Sequence, residues 1–362
     1  MKLQTSDQII FAVFLGAIIL IGTLANIVVL CVLIKERQLR RNIASIFLIN
    51  LLIIDLTNLL FVMPFSFVAI ISASWRPPIA LQKLNGFLGT SVELASMLAL
   101  AVISLDRLAA VMKPLAYKAR MTICKASQCN VYIWVQSIVF SLVPVFCNWY
   151  TFNQRYLACT FYSYSEENGF YIYTAFLISC NFVLSLCVIL ATYLYIFRVA
   201  RSHNRRIARA ILPVNIFNLN QKSRHESFRQ REIRTASKIL FVIGAFIICH
   251  LPYACLRILE LKEQSTDHLE SISMNLSVTS KWASFSKSSF NPFIYFLQQK
   301  RFRKAFSRIF QPSKSSLSSN FSKRSSRMRN NTVQPMVIHR SSISTQENAT
   351  QQRIAVTQFQ KK

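Results

Sequence analysis

The sequence contains few charged residues and little glycine for its length. Only 15% of its 362 residues are charged and only 6 are glycine, while its mean hydropathy is +0.35. This composition excludes a water-soluble protein of this length, because soluble domains carry many more surface charges. The chain is therefore expected to have lipid as its solvent.

The motifs that would indicate an enzyme or a bound cofactor are also absent. The sequence has no nucleotide-binding loop, no HExxH motif and no cluster of cysteine and histidine at the spacing of a metal site. We therefore predict that the protein is not an enzyme and that it holds neither a cofactor nor a metal ion.

Apolar residues gather into seven runs along the chain. Each run has about 20 residues or more, the length at which a helix crosses the ~30 Å of hydrocarbon in a bilayer. Because backbone polar groups in lipid need partners within the protein, the runs predict helices. The predicted fold class is an all-α membrane protein, a seven-transmembrane helix bundle. The spans lie near 8–34, 43–71, 84–112, 127–147, 170–199, 234–259 and 273–297.

Basic residues outnumber acidic ones, 42 to 14, and they lie in alternate loops. They follow spans one and three, fill the segment between spans five and six, and continue through the tail. The positive-inside rule then predicts a multi-pass membrane protein with its N-terminus outside and its C-terminus in the cytoplasm. Attraction to anionic membrane lipids explains this charge better than nucleic acid, which we do not expect as a partner.

The spans divide the chain into four predicted segments. These are a short extracellular N-terminus (1–7), a seven-transmembrane domain (8–298), an amphipathic surface helix (299–310) and a disordered cytoplasmic tail (311–362). The surface helix has phenylalanines at four-residue spacing beneath a basic face. The serine-rich tail is expected to offer phosphorylation sites to kinases, unless it serves only as a soluble disordered segment.

Ionisable residues inside membrane spans are costly, so each one is a functional hypothesis. The spans contain Asp55, Glu93, the Asp106-Arg107 pair and Lys287. Asp106 and Arg107 close span three, and Glu232 opens span six at the same depth. Arg107 therefore has two carboxylates to choose between, and an exchangeable ion pair would form a two-state latch. The alternative is that Arg107 only snorkels to the interface.

Two of the nine cysteines, Cys147 and Cys159, fall at or near the predicted outer side. They could form a disulfide within the second outer loop, although their spacing leaves the bond undecided.

Short motifs follow one another in order along the spans. Trp134 and Pro144 lie in span four, and the other motifs are Leu24-Ala25-Asn26-Ile27-Val28-Val29, Asn50-Leu51-Leu52-Ile53-Ile54-Asp55, Asp106-Arg107-Leu108, Pro114-Leu115-Ala116-Tyr117, Phe246-Ile247-Ile248-Cys249-His250-Leu251-Pro252 and Asn291-Pro292-Phe293-Ile294-Tyr295. Together they resemble the rhodopsin-like (class A) family of G-protein-coupled receptors across nearly all of 8–310.

This resemblance implies a function and a switch. The protein would transduce binding of an extracellular small molecule, lipid or short peptide into activation of a heterotrimeric G protein. The proline kink of span six would let its cytoplasmic end swing away from span three. The residues to which the resemblance gives this switch are Asp106, Arg107, Glu232, Tyr193, Pro252, Asn291, Pro292 and Tyr295.

The sequence departs from the family pattern at two structural positions. Gln82 stands where relatives carry the span-three cysteine of an outer disulfide, and Ser185 stands where they carry the span-five proline. Both departures are shared by the branch of melanocortin, cannabinoid and sphingosine-phosphate receptors, and adenosine receptors are similar more loosely. This likeness to a branch does not assign the ligand.

Two ligand classes can be compared with the pocket positions. The residue where amine receptors carry an aspartate is Gly89, and the residue where opsins carry the retinal lysine is Phe285. Lys281 and Lys287 are out of register with the retinal position, but a lysine can form a Schiff base with retinal when burial lowers its pKa. An opsin-like photoreceptor that uses one of these out-of-register lysines is therefore the alternative function. The candidate pocket residues are Gly89, Glu93, His250, Lys281 and Phe285.

A buried charge network is predicted beneath the pocket. In the family, residues at the places of Asp55, Ser96 and Asn291 surround a cavity that commonly holds sodium. Lys287 lies four residues before Asn291 and so on the same helix face, from which its ammonium group could replace the ion. The alternative is that Lys287 points to lipid headgroups or another helix. The predicted network consists of Asp55, Glu93, Ser96, His250, Lys287 and Asn291.

Overall fold

A computed structural model of the chain describes residues 5–40, 42–72, 75–161, 168–210, 244–245, 247–259, 274–298 and 300–310. Helices cover each of the seven predicted spans within these ranges. Glu232 and the tail 311–362 lie outside the described residues, as do the side chains of 293–301.

The helices are numbered α1 to α8 in chain order. Two further short helices, Arg37–Arg40 and Pro114–Arg120, follow α1 and α3. α5 runs in three continuous parts, Asn168–Leu177, Ile178–Val183 and Leu184–Ala210. The others are α1 Thr5–Lys35, α2 Ile43–Ile71, α3 Ile79–Met112, α4 Ile123–Phe146, α6 Ile247–Leu259, α7 Met274–Gln298 and α8 Lys300–Phe310.

Within the described ranges, five helices, α1 to α5, are long and apolar enough to cross a membrane. The most apolar stretch of α3 is 72% buried within the protein, whereas the most apolar stretch of α4 is only 22% buried. α3 packs against α2, α4 and α5, whereas α1 packs against α2 and α7. The outward faces of α1 and α4 expose large apolar side chains such as Val13 and Val139, as expected where a helix bundle meets lipid.

A proline widens α2 near its middle. Pro64 cannot donate a backbone hydrogen bond, and its ring would clash with the carbonyl four residues earlier. The chain forms a π-helical turn over Asn58–Val62 just before it. The carbonyls of Phe61 and Val62 each accept a hydrogen bond from Asn85 Nδ2 on α3, at 3.2 Å. The neighbouring helix α3 thus supplies a hydrogen-bond donor to the backbone carbonyls of the widened turn.

A second π-helical turn, Ile178–Val183, interrupts α5. No proline accounts for it, since Ser185 occupies the position where the family proline was expected, and its side chain is buried. We have no physical account of why this turn widens. It contains the buried Asn181, whose surroundings are described below.

A two-stranded antiparallel hairpin joins α4 to α5. It consists of β1, Tyr150–Asn153, and β2, Ala158–Phe161, with Phe152 opposite Cys159. Both strands contact the beginning of α3, and we call this end of the bundle the hairpin end. A Cβ atom at Gly86 would lie 2.4 Å from the Tyr150 ring, so only glycine permits this close approach.

The hairpin is attached to α3 by an amide side chain. Gln82 Oε1 accepts hydrogen bonds from the backbone N–H of Phe152 at 2.9 Å and from the Thr151 hydroxyl at 3.3 Å. Its Nε2 donates to the carbonyl of Pro77 at 2.8 Å. The residue that replaces the family cysteine therefore holds the same two elements together without a covalent bond.

Cys147 and Cys159, whose bond the sequence left undecided, do not form a disulfide in this structure. Cys147 is an exposed free thiol at the end of α4, whereas Cys159 is a buried free thiol within β2. Burial raises the pKa of the Cys159 thiol to about 12. Cys159 is therefore an unreactive packing residue of the hairpin.

α8 packs against α1 and α7. Its side chains Phe302 and Ala305 are buried, while Arg303 and Lys304 are exposed. This division into an apolar and a basic face is the pattern that predicted the surface helix.

Candidate functional site

Two adjoining cavities lie beneath the hairpin, with volumes of about 30 and 90 Å³. Their shared wall consists of Thr90 and Glu93 from α3, Phe161 from β2 and Tyr253 from α6. The first cavity is otherwise bounded mainly by α2, α3, β2 and α7, and the second by α3, α5 and α6. We call them the α7 cavity and the α5 cavity.

The Glu93 carboxylate lies where the two cavities meet and connects three helices. Its Oε1 is 3.4 Å from His250 Nε2 on α6, and its Oε2 is 3.7 Å from Lys281 Nζ on α7. The other ring nitrogen of His250 lies 2.8 Å from the hydroxyl of Ser284. Both His250 nitrogens thus have partners, and the imidazole is fixed between α3 and α7.

Lys281 lies against an aromatic wall. Its ammonium nitrogen is 3.9 Å from the ring centre of Tyr253 and 5.0 Å from that of Phe285. Aromatic faces attract cations, so these rings help to stabilise a buried ammonium group. The sequence predicted Lys281 only as a pocket residue, whereas the structure gives it the ion pair with Glu93.

Lys287 is buried and lines the α7 cavity together with Ser96. Its charge interacts with those of Glu93 and Asp55. The predicted choice between these two carboxylates is therefore not exclusive, because Lys287 lies within electrostatic reach of both. The predicted alternative was a side chain that points to lipid headgroups or to another helix, and the burial of Lys287 argues against lipid headgroups.

Polar contacts join α2 to α7 near Asp55. Asn291 Nδ2 donates to Asp55 Oδ2 at 2.8 Å, and Asn58 Nδ2 donates to the Ser288 hydroxyl at 3.1 Å. The Ser288 carbonyl accepts from Asn26 Nδ2 of α1 at 2.9 Å. The structure thus brings together Asp55 and Asn291, as the sequence predicted. Among the residues that the structure describes, no group of three or more His, Cys, Asp or Glu is placed to hold a metal ion.

Gly89, at the position of the amine-receptor aspartate, lines the α7 cavity. A Cβ atom there would lie 3.3 Å from the Val62 side chain. The position therefore contributes backbone to the cavity and no charge.

Sequence reasoning missed three residues that line the α5 cavity, namely Arg257, Asn181 and Thr174. Arg257 donates to the Phe161 carbonyl at 2.9 Å and stacks over its ring at 5.0 Å, which attaches the hairpin to α6. It lies seven residues after His250, so helical periodicity could have indicated it. Asn181 lies in a π-helical turn. Because this turn changes the angular spacing of side chains, α-helical periodicity does not predict which way the Asn181 side chain points.

The opposite end of α3 carries the predicted switch residues. Arg107 pairs with the adjacent Asp106, and Asp106 Oδ1 also accepts a hydrogen bond from Tyr117 at 2.5 Å. Tyr193 is buried and interacts with Arg107. Pro292 is buried in α7, and Pro252 lies two residues after His250 in α6. Glu232 and the Tyr295 side chain lie outside the described residues.

The model of the family described as "7 transmembrane receptor (rhodopsin family)" matches residues 25–295. The chain belongs to this family. It is therefore a class A G-protein-coupled receptor and a multi-pass membrane protein, as predicted. Members of this receptor family bind an extracellular ligand and a heterotrimeric G protein, and they are receptors, not enzymes.

Individual relatives of this receptor cover most of its length. It is 30% identical to human G-protein coupled receptor 26 over 303 residues, which cover 80% of this chain and 88% of the relative. It is 30% identical to the human histamine H2 receptor over 310 residues, covering 85% and 81% of the two chains. The crystal structure of squid rhodopsin superimposes on this chain with a TM-score of 0.74 at 22% sequence identity. The match covers 86% of this chain and 87% of the squid chain, and it confirms the seven-helix fold.

Proposed function

We propose that this receptor binds a small molecule, lipid or short peptide from the extracellular side and uses Glu93 to pass the binding signal to its G-protein side. The observation that carries this proposal is the contact of one carboxylate with His250 of α6 and Lys281 of α7 at the meeting point of both cavities. A ligand that enters either cavity must change these contacts.

The helix that bears Glu93 also bears Arg107. The distance from one to the other along α3 is 14 residues, or about 21 Å at ~1.5 Å per residue. Pro252 follows His250 by two residues and weakens the helical hydrogen bonding of α6 there. A change at His250 would therefore swing the far end of α6 and open a cavity beside Arg107 for the G protein. The ligand shifts this equilibrium only by its preference for the open state.

The test of this function is nucleotide exchange on a purified heterotrimeric G protein by the receptor in lipid nanodiscs. We expect the wild type to accelerate exchange and Arg107→Ala to abolish the acceleration, with Arg120→Ala, an exposed arginine, as the matched control. Equal exchange by the wild type and Arg107→Ala would contradict the proposed switch.

The receptor would lie in the plasma membrane. Its hairpin end would face the extracellular side, and its Arg107 end would face the cytoplasm. The distribution of basic loops supports this orientation. Receptor kinases and arrestin would act on the serines of the tail, and the basic face of α8 would contact anionic lipids.

Lys287 would act as a tethered cation in place of sodium. Its burial, its place in the α7 cavity and its interaction with Asp55 support this role. An ion entering beside Asp55 would have to compete with a covalently attached ammonium group.

The name of one relative, the histamine H2 receptor, suggests an amine as the ligand. Two observations speak against transferring it. Gly89 offers no carboxylate, and both oxygens of Glu93 already face basic groups. An amine would have to displace Lys281 or His250 from Glu93.

A further inference from the structure

The charged side chains that line the two cavities are mainly basic. Lys281, Lys287 and Arg257 face a single carboxylate, Glu93, among the lining residues that the structure describes. Glu93 interacts electrostatically with all three of them and with His250. Buried charges need compensation, and within these cavities several cations share Glu93, while Lys287 also interacts with Asp55.

The ion pair of Lys281 leaves room for a second anion. Its nitrogen lies 3.7 Å from Glu93 Oε2, beyond the 2.7–3.2 Å of a good hydrogen bond. The Glu93 side chain is 29% exposed, so its carboxylate borders open cavity space. A carboxylate or phosphate in this space could approach the ammonium group more closely than Glu93 does.

The α5 cavity has polar side chains that lack partners. Both side-chain polar atoms of Asn181 and the Thr174 hydroxyl are buried and make no hydrogen bond with any residue that the structure describes. Buried polar groups nearly always have a partner, so an amide that lines a cavity without one indicates a polar group of a ligand or a water molecule. Asn181 can both donate to and accept from such a group.

We propose that the ligand is a small acid whose carboxylate or phosphate binds Lys281 in the α7 cavity and whose hydrogen-bonding group at the other end reaches Asn181 in the α5 cavity. This assignment rests on the proposed function, because it names the ligand class for the same site. The acid takes Lys281 from Glu93, and the contact between α3 and α7 is lost as the ligand binds.

The test uses the purified full-length receptor in nanodiscs and measures the thermal midpoint as probe concentration rises. The acidic probes are 3-(4-hydroxyphenyl)propionate and 4-hydroxyphenethyl phosphate. The methyl ester of the first acid is the neutral control and tyramine is the amine. We expect saturable stabilisation by at least one acid, with an affinity at least ten times that of ester and amine. The tighter acid identifies the headgroup.

Two receptor positions make the test specific. Lys281→Met should weaken acid binding at least tenfold, whereas Lys281→Arg, which retains the charge, should preserve it. 3-Phenylpropionate lacks the hydroxyl of 3-(4-hydroxyphenyl)propionate. Asn181→Leu should abolish the receptor's preference for the hydroxylated acid and leave its affinity for 3-phenylpropionate unchanged. A cooperative thermal transition recorded for each variant without ligand shows that the variant is folded.

Three results would overturn the proposal: stabilisation by tyramine equal to or greater than that by the acids, an acid affinity unchanged in Lys281→Met, or no stabilisation by either acid. Because the thermal midpoint is read without G protein, this outcome is separate from that of the proposed function. A receptor that binds the acid but catalyses no exchange would contradict the function and leave the ligand class standing.

Discussion

At the scale of single residues, the chemistry of the receptor depends on ionisable groups placed inside the membrane. Sequence alone could identify Asp55, Glu93 and Lys287, because a charge within an apolar run stands out. It could not decide which lysine contacts Glu93, since Lys281 and Lys287 both lie on α7 and their directions depend on how that helix packs. The structure assigns the direct ion pair to Lys281.

Lys287 gives a prediction at this scale. If its ammonium group replaces sodium beside Asp55, the thermal midpoint of the wild type should be the same in sodium chloride and in N-methylglucamine chloride at equal ionic strength. Lys287→Met should leave Asp55 without its nearby cation. Sodium should therefore raise the thermal midpoint of this variant.

The double variant Lys287→Met with Asp55→Asn is the control for this measurement, because it lacks the carboxylate that would bind the ion. It should again show no effect of sodium. A wild type that sodium stabilises as strongly as it does Lys287→Met would rule out the tethered cation.

At the scale of elements, the long apolar runs predicted the helices well, because the cost of unpaired backbone groups in lipid leaves few alternatives. The hairpin was not predicted, since its two strands are short and depend on contacts with α3. Gln82 could be identified from the sequence only as a missing cysteine. Its hydrogen bonds to β1 require the folded loop to be known.

The attachment of the hairpin can be measured by hydrogen exchange. Gln82→Leu removes the acceptor for the buried Phe152 N–H, a loss of about 1–3 kcal/mol. Amide exchange in β1 and β2 should therefore accelerate by roughly tenfold, since 1.4 kcal/mol corresponds to that factor.

Gln82→Glu is the matched variant, because its carboxylate still accepts from Phe152 and Thr151, while the donor to Pro77 is replaced by an oxygen that repels that carbonyl. It should retain most of the protection of the hairpin. Equal protection in the wild type and Gln82→Leu would show that packing alone, such as the approach of Tyr150 to Gly86, attaches the hairpin.

At the scale of the whole molecule, one helix connects the candidate ligand site to the end at which we propose that the G protein binds. α3 is the most buried of the five long apolar helices and carries Glu93 near the cavities and Arg107 at the far end. The family motif Asp106-Arg107-Leu108 predicted the Arg107 end, and the charge of Glu93 within an apolar span predicted the other. The contact of Glu93 with two other helices depends on how they pack together, which no single motif encodes.

The central claim is that the contact of Glu93 with Lys281 stabilises the resting receptor. Its most direct test is ligand-free nucleotide exchange by the wild type, Glu93→Gln, Lys281→Met and the double variant, each normalised to the amount of folded receptor. Both single variants should raise the exchange rate about fivefold or more, the lower end of typical allosteric coupling. The double variant should not exceed Glu93→Gln, because Glu93→Gln already removes the contact with Lys281. Unchanged rates in the single variants, or single effects that multiply in the double variant, would contradict the account.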